Sequence, residues 1–341
     1  MPVRIVEPGS SLRLGEGVHI GLINNMPDGA LKATERQFLA LLEAASNDVA
    51  VCLSFYALPD VPRTEAARLY VSQFYSGIEN LWESRLDGLI VTGTEPRTPA
   101  LIDEPYWRDF AKILDWAEDN THSAIWSCLA AHAAVLHIDG IARRRLATKR
   151  FGVFECARAS EDHFTACLPP TFQVPHSRWN DIPGDELVDC GYRVLSRSMD
   201  GGVDSFVKQR KSLFVCFQGH PEYEASTLLF EYRRDIGSYL RGERNTYPSM
   251  PQGCFDRDST NALIALQNRA LTDRREGLLA NRGEGLLADF PATQLEKRLA
   301  NTWTSMAAQV YGNWLAYLCA QRERRIREKQ RWNQLARRKA V

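Results

Sequence analysis

The sequence lacks several patterns that would assign it to a common class of protein. Its eight cysteines are scattered, with no CxxC pair and no Cys/His spacing typical of a zinc site. No apolar run reaches membrane-spanning length, and the N-terminus lacks the charged and then apolar plan of a secretory signal. We therefore expect a cytoplasmic protein with no metal and no membrane partner, in which most cysteines are small buried apolar residues.

The sequence also lacks a net charge, because 42 Lys and Arg balance 42 Asp and Glu. The whole chain therefore gives no argument for nucleic-acid binding. The segment 321–341 is different, since nine basic and two acidic residues give it a local net charge of +7. A charge run of this kind is usually a solvated face, so it predicts an exposed helical tail.

What the sequence does contain is a regular alternation of strand-like and helix-like segments. It is 44% hydrophobic, which is ample for a large core. Apolar, β-branched runs at His19–Asn25, Val49–Ala57, Asp87–Thr92 and Ser123–Trp126 alternate with helical patterns. The pattern from 149 to 220 is more β-like. We predict an α/β fold with a mostly parallel sheet flanked by helices, and a site where the strands end.

Cys128 lies where one of these strands turns directly into an Ala-rich helix. A side chain at such a junction stands at the carboxyl edge of the sheet, and the positive end of the helix dipole favours a thiolate. Taken alone, a cysteine in an apolar segment is more often a packed residue than a nucleophile. The assignment therefore depends on partners elsewhere in the chain.

His220 and Glu222 are the partners that the sequence offers. They follow the apolar strand Ser212–Gln218, so they too lie at a carboxyl edge of the sheet, and Pro221 stiffens the turn between them. A nucleophile needs a base, and the base needs a group that orients it. This pattern predicts a cysteine hydrolase or acyltransferase and does not choose between the two.

Several segments resemble one family, the homoserine O-acyltransferases of methionine biosynthesis, of the homoserine O-succinyltransferase type. They include the stretch around Cys128 and the PHSRW, QGHPEYEASTL and EYRRD motifs, with three further matches before and after them in the chain. The matching ranges are Asn24–Leu39, Asp87–Gly93, Ile125–Leu136, Pro175–Trp179, Gln218–Leu228, Glu231–Asp235 and Gly312–Leu318. The resemblance is colinear from about 18 to 250 and in the last helix.

The resemblance implies a fold like class I glutamine amidotransferases and a Cys–His–Glu triad. Cys128 would carry the acyl group, His220 would be the general base and Glu222 its partner. Substrate-binding positions fall on Lys149, Ser177, Arg178 and Arg234, and the oxyanion would be held by backbone amides of Leu129 and Thr94. It further implies an acyl-CoA co-substrate, no permanently bound cofactor, L-homoserine as acceptor, and a homodimer.

The same comparison divides the chain into three parts. Residues 1–17 would be an irregular lead-in, 18–320 a single acyltransferase domain, and 321–341 the basic tail. An insertion at about 249–300 contains the near-repeat GLLAN and GLLAD, which we interpret as an inserted loop or helical hairpin.

Arg97 occupies the position that sorts acyl donors in this family. A small residue there goes with succinyl transfer and a carboxylate with acetyl transfer, whereas this chain has arginine. Because a guanidinium attracts the free carboxylate of a succinyl group, the sequence favours succinyl-CoA.

Four alternatives stay open at this point. The donor could be acetyl-CoA, or the acceptor could be serine. The triad could instead serve a glutamine amidotransferase-like hydrolase, although Trp-Ser-Cys-Leu-Ala lacks the glycines that usually flank such a cysteine. A non-catalytic, RNA-associated protein would explain the basic tail but not the triad.

Overall fold

The computed structural model describes residues 2–10, 17–200 and 202–339, and its centre is one ten-stranded sheet. The strands are β1 Val3–Ile5, β2 Val18–Ile23, β3 Val51–Tyr56, β4 Gly88–Val91, β5 Ser123–Ser127, β6 Arg144–Arg158, β7 Thr171–Asp181, β8 Arg193–Ser198, β9 Val203–Gln209 and β10 Leu213–Phe217. Their order across the sheet is β1-β3-β2-β4-β5-β10-β9-β8-β6-β7.

The sheet has a parallel half and an antiparallel half, which meet at β10. Strands β1 to β5 and β10 pair in parallel, and β10, β9, β8, β6 and β7 pair antiparallel. Every residue of β3, β4, β5 and β10 is buried, as expected for strands covered on both faces. The predicted α/β class and the β-rich region after residue 149 are both confirmed.

Helices cover both faces of this sheet. Their bounds are α1 Asp28–Ala45, α2 Glu65–Phe74, α3 Ile78–Glu83, α4 Trp107–Asn120, α5 Leu129–Asp139, α6 Gly184–Asp189, α7 Thr227–Leu240, α8 Arg257–Arg275, α9 Leu279–Ala288, α10 Ala292–Glu296 and α11 Thr304–Lys339. One apolar core lies between the sheet and α1, α7 and α11, and the other lies between the sheet and α3, α4, α5 and α6. Among the described residues, no helix is both long and apolar enough to cross a bilayer.

The N-terminal segment contains more structure than predicted. Residues 3–5 form the edge strand β1, which pairs with β3, so the prediction of an irregular lead-in is wrong there. A three-residue strand has too short a pattern to be recognised, since its pairing with β3 is non-local. Part of the predicted lead-in, residues 11–16, lies outside the described residues.

The region from 249 to 300 folds as helices α8, α9 and α10 on the outer side of α7. The two copies of the near-repeat fall at the start and the end of the single helix α9. Helix α11 then runs without a break across residue 320. The predicted start of the basic tail therefore does not coincide with an end of secondary structure.

Helix α11 is tied to the start of strands β4 and β5 at two places along its length. Trp314 donates a hydrogen bond from Nε1 to Ser123 Oγ over 3.0 Å. Further along, Arg325 Nη2 lies 3.5 Å and Arg322 Nε 3.9 Å from the buried carboxylate of Asp87. Part of the positive charge of the tail is thus used in packing against the start of β4.

Candidate active site

Cys128 occupies a strained turn between β5 and α5. Its φ of 52° and ψ of −111° lie in a region that a residue with a side chain rarely adopts. The turn is held in place because the Cys128 N–H donates to Phe217 O over 2.7 Å, at the end of β10. This conformation places a half-buried thiol at the carboxyl edge of the sheet, at the N-terminus of α5.

The loop after β4 approaches the same helix N-terminus at Gly93. A Cβ atom at this position would lie 2.6 Å from Leu129 Cβ and 3.0 Å from Leu129 N, so no larger residue fits. This contact places the Gly93–Thr94 turn beside the first amide of α5. The two backbone segments predicted to hold an oxyanion are therefore neighbours next to Cys128.

His220 and Glu222 complete the predicted set at the end of β10. Both side chains are buried, and His220 Nδ1 lies 2.8 Å from Glu222 Oε1. Burial lowers the pKa of His220, but the charges of Cys128 and Glu222 and hydrogen bonds to both side chains raise it well above its usual value. The raised pKa favours the protonated, imidazolium form of His220.

Contacts from three directions fix the orientation of His220. The backbone N–H of His220 donates to Pro175 O over 2.8 Å, which links the residue to β7. Its ring stacks on that of Tyr223, with centroids 4.2 Å apart and an interplanar angle of 17°. Trp303 in turn donates from Nε1 to Tyr223 O over 2.8 Å. The imidazole is therefore held by the backbone, by an aromatic neighbour and by its carboxylate partner.

Lys149 and Ser177, two predicted substrate-binding residues, meet at the carboxylate of Glu231. Ser177 Oγ donates to Glu231 Oε2 over 2.5 Å, and Lys149 Nζ lies 3.7 Å from the same oxygen. Lys149 also lies 3.4 Å from Asp235 Oδ2. Tyr223 donates to Glu231 Oε1 over 2.6 Å, which connects this cluster to His220.

Glu231 is the shared acceptor of this cluster, and the sequence analysis did not single it out. The EYRRD motif that contains it was recognised, but only Arg234 was selected from it. The signal that could have identified Glu231 is its position on α7 one turn before Arg234, which places both residues on one side of the helix.

Arg234 lies at the rim of the same cluster. Its Nη2 donates to Asp235 Oδ1 over 2.9 Å, and most of its side chain is exposed. Burial lowers the pKa of Arg234, but Asp235, Glu231 and Glu95 together raise it. The influence of Glu95 places the loop after Gly93 within electrostatic range of Arg234.

Arg178 is not brought together with the other predicted binding residues. It follows Ser177 on β7, and because side chains alternate along a strand it points to the opposite face. There it is buried and donates from Nη1 to Asn180 O over 2.6 Å and to Asp181 Oδ1 over 2.9 Å. Its Nη1 is committed to these acceptors, on the face away from Glu231.

Arg97 is exposed on the loop after Gly93. Its backbone is well anchored, because Glu104 Oε1 accepts hydrogen bonds from Arg97 N over 2.6 Å, Thr98 N over 2.7 Å and Thr98 Oγ1 over 2.8 Å. Glu104 itself is buried. The carboxylate thus fixes the course of the loop, while the Arg97 guanidinium extends toward solvent.

Cys156, His176 and Asp204 form a buried group whose ligand atoms lie within 4.8 Å of one another. Arg178 Nε donates to His176 Nδ1 over 3.4 Å, which places the ring proton on Nε2, 3.5 Å from Asp204 Oδ1. Burial, and then the charge of Arg178, hold the pKa of His176 well below its usual value. The ring is therefore neutral, and among the described residues neither His176 Nε2 nor Asp204 Oδ1 has a hydrogen-bond partner.

Comparison with known proteins gives a consistent result over most of the chain. A family profile described as homoserine O-succinyltransferase matches residues 12–325. A protein of Rhodopseudomonas palustris with that name is 46% identical over 304 residues, 89% of each chain. Another, from Bradyrhizobium japonicum, is 45% identical over 300 residues, covering 88% of this chain and 89% of the relative.

Among solved structures, one titled glutamine amido transferase from Methylobacillus flagellatus is similar over 89% of this chain and 95% of its own. The sequence identity is 14% and the TM-score is 0.49.

Proposed function

The chain belongs to the homoserine O-succinyltransferase family, and from that premise we propose that it transfers an acyl group from an acyl-CoA to the hydroxyl of L-homoserine through an acyl-enzyme on Cys128. It is an enzyme of the homoserine O-acyltransferase type, with a role in methionine biosynthesis. The observation that carries the proposed mechanism is the contact between the Cys128 thiol and the buried side chain of His220, which the carboxylate of Glu222 orients.

In the first step the Cys128 thiolate attacks the thioester carbonyl of the acyl-CoA. A new C–S bond forms, the tetrahedral intermediate collapses, and the CoA thiolate leaves. The imidazolium of His220 gives its proton to that thiolate. The negative charge that develops on the carbonyl oxygen is stabilised by the neighbouring amides of Leu129 and the Gly93–Thr94 turn.

Acylation itself prepares His220 for the second step. The pKa of His220 is raised by the charges of Cys128 and Glu222. Once the sulfur carries an acyl group, one of these charges is gone, so the pKa falls and the ring stays neutral. It can then accept the proton of the homoserine hydroxyl as the oxygen attacks the thioester, and the Cys128 thiolate leaves again.

The charged cluster beside His220 matches the two charged groups of an amino acid. The carboxylate of Glu231 is suited to an ammonium group, and the cations of Lys149 and Arg234 are suited to a carboxylate. Tyr223 links Glu231 to the stacked ring of His220, so an amino acid bound here has its hydroxyl directed toward the base. Arg178 takes no part in this contact.

We further propose succinyl-CoA as the donor, because cations border the loop after Gly93 and a succinyl group has a free carboxylate for them to bind. The test crosses succinyl-CoA and acetyl-CoA with homoserine and serine, and intact mass detects the acyl-cysteine. We expect the succinyl adduct on the wild type and none on Cys128→Ala. An adduct of the same mass on that variant would contradict the assignment of the nucleophile.

A further inference from the structure

Arg143 lies at the end of the turn that connects α5 to β6, and its side chain reaches the loop after Gly93. Its Nη2 donates to Pro99 O over 3.3 Å. The residue is only partly exposed, and no ion pair found within residues 2–10, 17–200 and 202–339 includes it. A half-buried guanidinium that binds one carbonyl has unused donors, since the group carries five N–H bonds.

The electrostatic surroundings of Arg143 connect it to the nucleophile. Burial lowers the pKa of Arg143, and the charges of Tyr106, Glu104 and Cys128 raise it. One oxygen of Glu104 is engaged, because Oε1 accepts three hydrogen bonds from Arg97 and Thr98, whereas its buried Oε2 has no hydrogen-bond partner among the described residues. Tyr106 contributes a buried hydroxyl that has no hydrogen-bond partner among the described residues. The guanidinium thus lies beside the loop after Gly93, and Gly93 itself packs against Leu129 at the N-terminus of α5. The Tyr106 side chain lines a small cavity with Gly93, Thr94 and Leu129 at the same place.

We propose that Arg143 binds the distal carboxylate of a dicarboxylic acyl group while that group is attached to Cys128. The proposal rests on the acyl transfer proposed above. An extended four-carbon acyl chain places its far carboxylate roughly 6 Å from the sulfur, and a planar guanidinium can hold it through two parallel hydrogen bonds.

This assignment differs from the one based on sequence, which selected Arg97. Arg97 is exposed, and an exposed ion pair contributes little because water and salt screen it. Arg143 is more shielded from solvent than Arg97. The selectivity for a charged acyl group would therefore come from a residue outside the loop, with Arg97 adding little.

The test compares two donors of equal chain length, succinyl-CoA and butyryl-CoA, which differ by the terminal carboxylate. For Arg143→Gln we expect kcat/KM for succinyl-CoA to fall about 10- to 100-fold relative to that for butyryl-CoA. The preference of Arg143→Lys for succinyl-CoA over butyryl-CoA should lie between that of Arg143→Gln and that of the wild type, because an ammonium keeps the charge but not the paired hydrogen bonds. The matched control is Arg145→Gln, which removes a nearby cation that stacks on Trp179 at 4.3 Å.

The proposal is overturned if Arg143→Gln keeps the wild-type preference between the two donors, or if it loses both activities equally. The second outcome would show that Arg143 only supports the loop. An equal shift of donor preference in Arg145→Gln would also overturn it, since the preference would then depend on the total positive charge of this region and not on a contact made by Arg143. Absence of any acyl-cysteine on the wild-type enzyme would instead contradict the proposed function itself.

Discussion

Replacing Glu222 with glutamine tests the electrostatic role of the carboxylate while its shape is kept. Glu222 Oε1 lies 2.8 Å from His220 Nδ1, and both side chains are buried. At an effective dielectric constant of about 20 and a charge separation of about 4 Å, the lost attraction is about 4 kcal/mol. The amide oxygen can still accept the Nδ1–H hydrogen bond, so we expect part of this attraction between residue 222 and the imidazolium to be retained. We therefore expect kcat/KM to fall about 10²- to 10⁴-fold.

The same substitution should change the pH profile in a defined direction. The imidazolium of the resting pair is present below the raised pKa of His220 and is lost as the pH rises through it. Without the charge of Glu222 that pKa falls, so the alkaline limit of the acylation rate should move to lower pH. Single-turnover acylation, followed by intact mass across a pH series, measures both the rate and this limit.

Glu224→Gln is the matched control for this experiment. Glu224 lies two residues further on and pairs with Arg36 at the surface over 2.8 Å, where an ion pair has little effect on stability. It should behave like the wild type. If Glu222→Gln also stays within about a factor of three of the wild-type rate, with an unchanged alkaline limit, the carboxylate does not serve His220 and the triad assignment is refuted.

Three further predictions concern the residues around this set. Cys128→Gly should abolish acylation but raise the free energy of unfolding by about 1 kcal/mol, because glycine relieves the strained φ; a lower midpoint in thermal unfolding would contradict this. Tyr223→Phe removes the hydrogen bond to Glu231 and should raise KM for the acceptor more than KM for the acyl-CoA, and an effect confined to the donor would refute it. Glu104→Leu leaves three loop donors without their acceptor, so it should cost about 1–3 kcal/mol of stability and lower donor selectivity, whereas Glu104→Gln should retain more of both.

The elements that position the site were predictable because each follows from a local pattern. Cys128 ends an apolar strand and begins an Ala-rich helix, and His220 and Glu222 follow another strand of the same kind. Parallel strands end at one edge of a sheet, so the convergence of these residues follows from the fold class. The structure brings all three together, beside the Gly93–Thr94 turn.

The substrate cluster was less predictable because it depends on tertiary contacts. Glu231 becomes central only when α7 lies across β6 and β7, which brings it to Lys149 and Ser177. The alternation of side chains along β7 could have separated Ser177 from Arg178, had that segment been assigned as a strand from its pattern. The reach of Arg143 to Pro99 joins two connections that are distant in sequence, which no local pattern encodes.

Helix α11 has a consequence for the order in which the enzyme is made. Trp303, just before this helix, holds the carbonyl of Tyr223, and Trp314 within it reaches Ser123 in β5. The triad and the whole sheet precede these residues in the chain, so they leave the ribosome earlier, and domains begin to fold during synthesis. The growing chain therefore contains every reactive group before it contains the helix that supports them, and a competent site has to await the synthesis of α11.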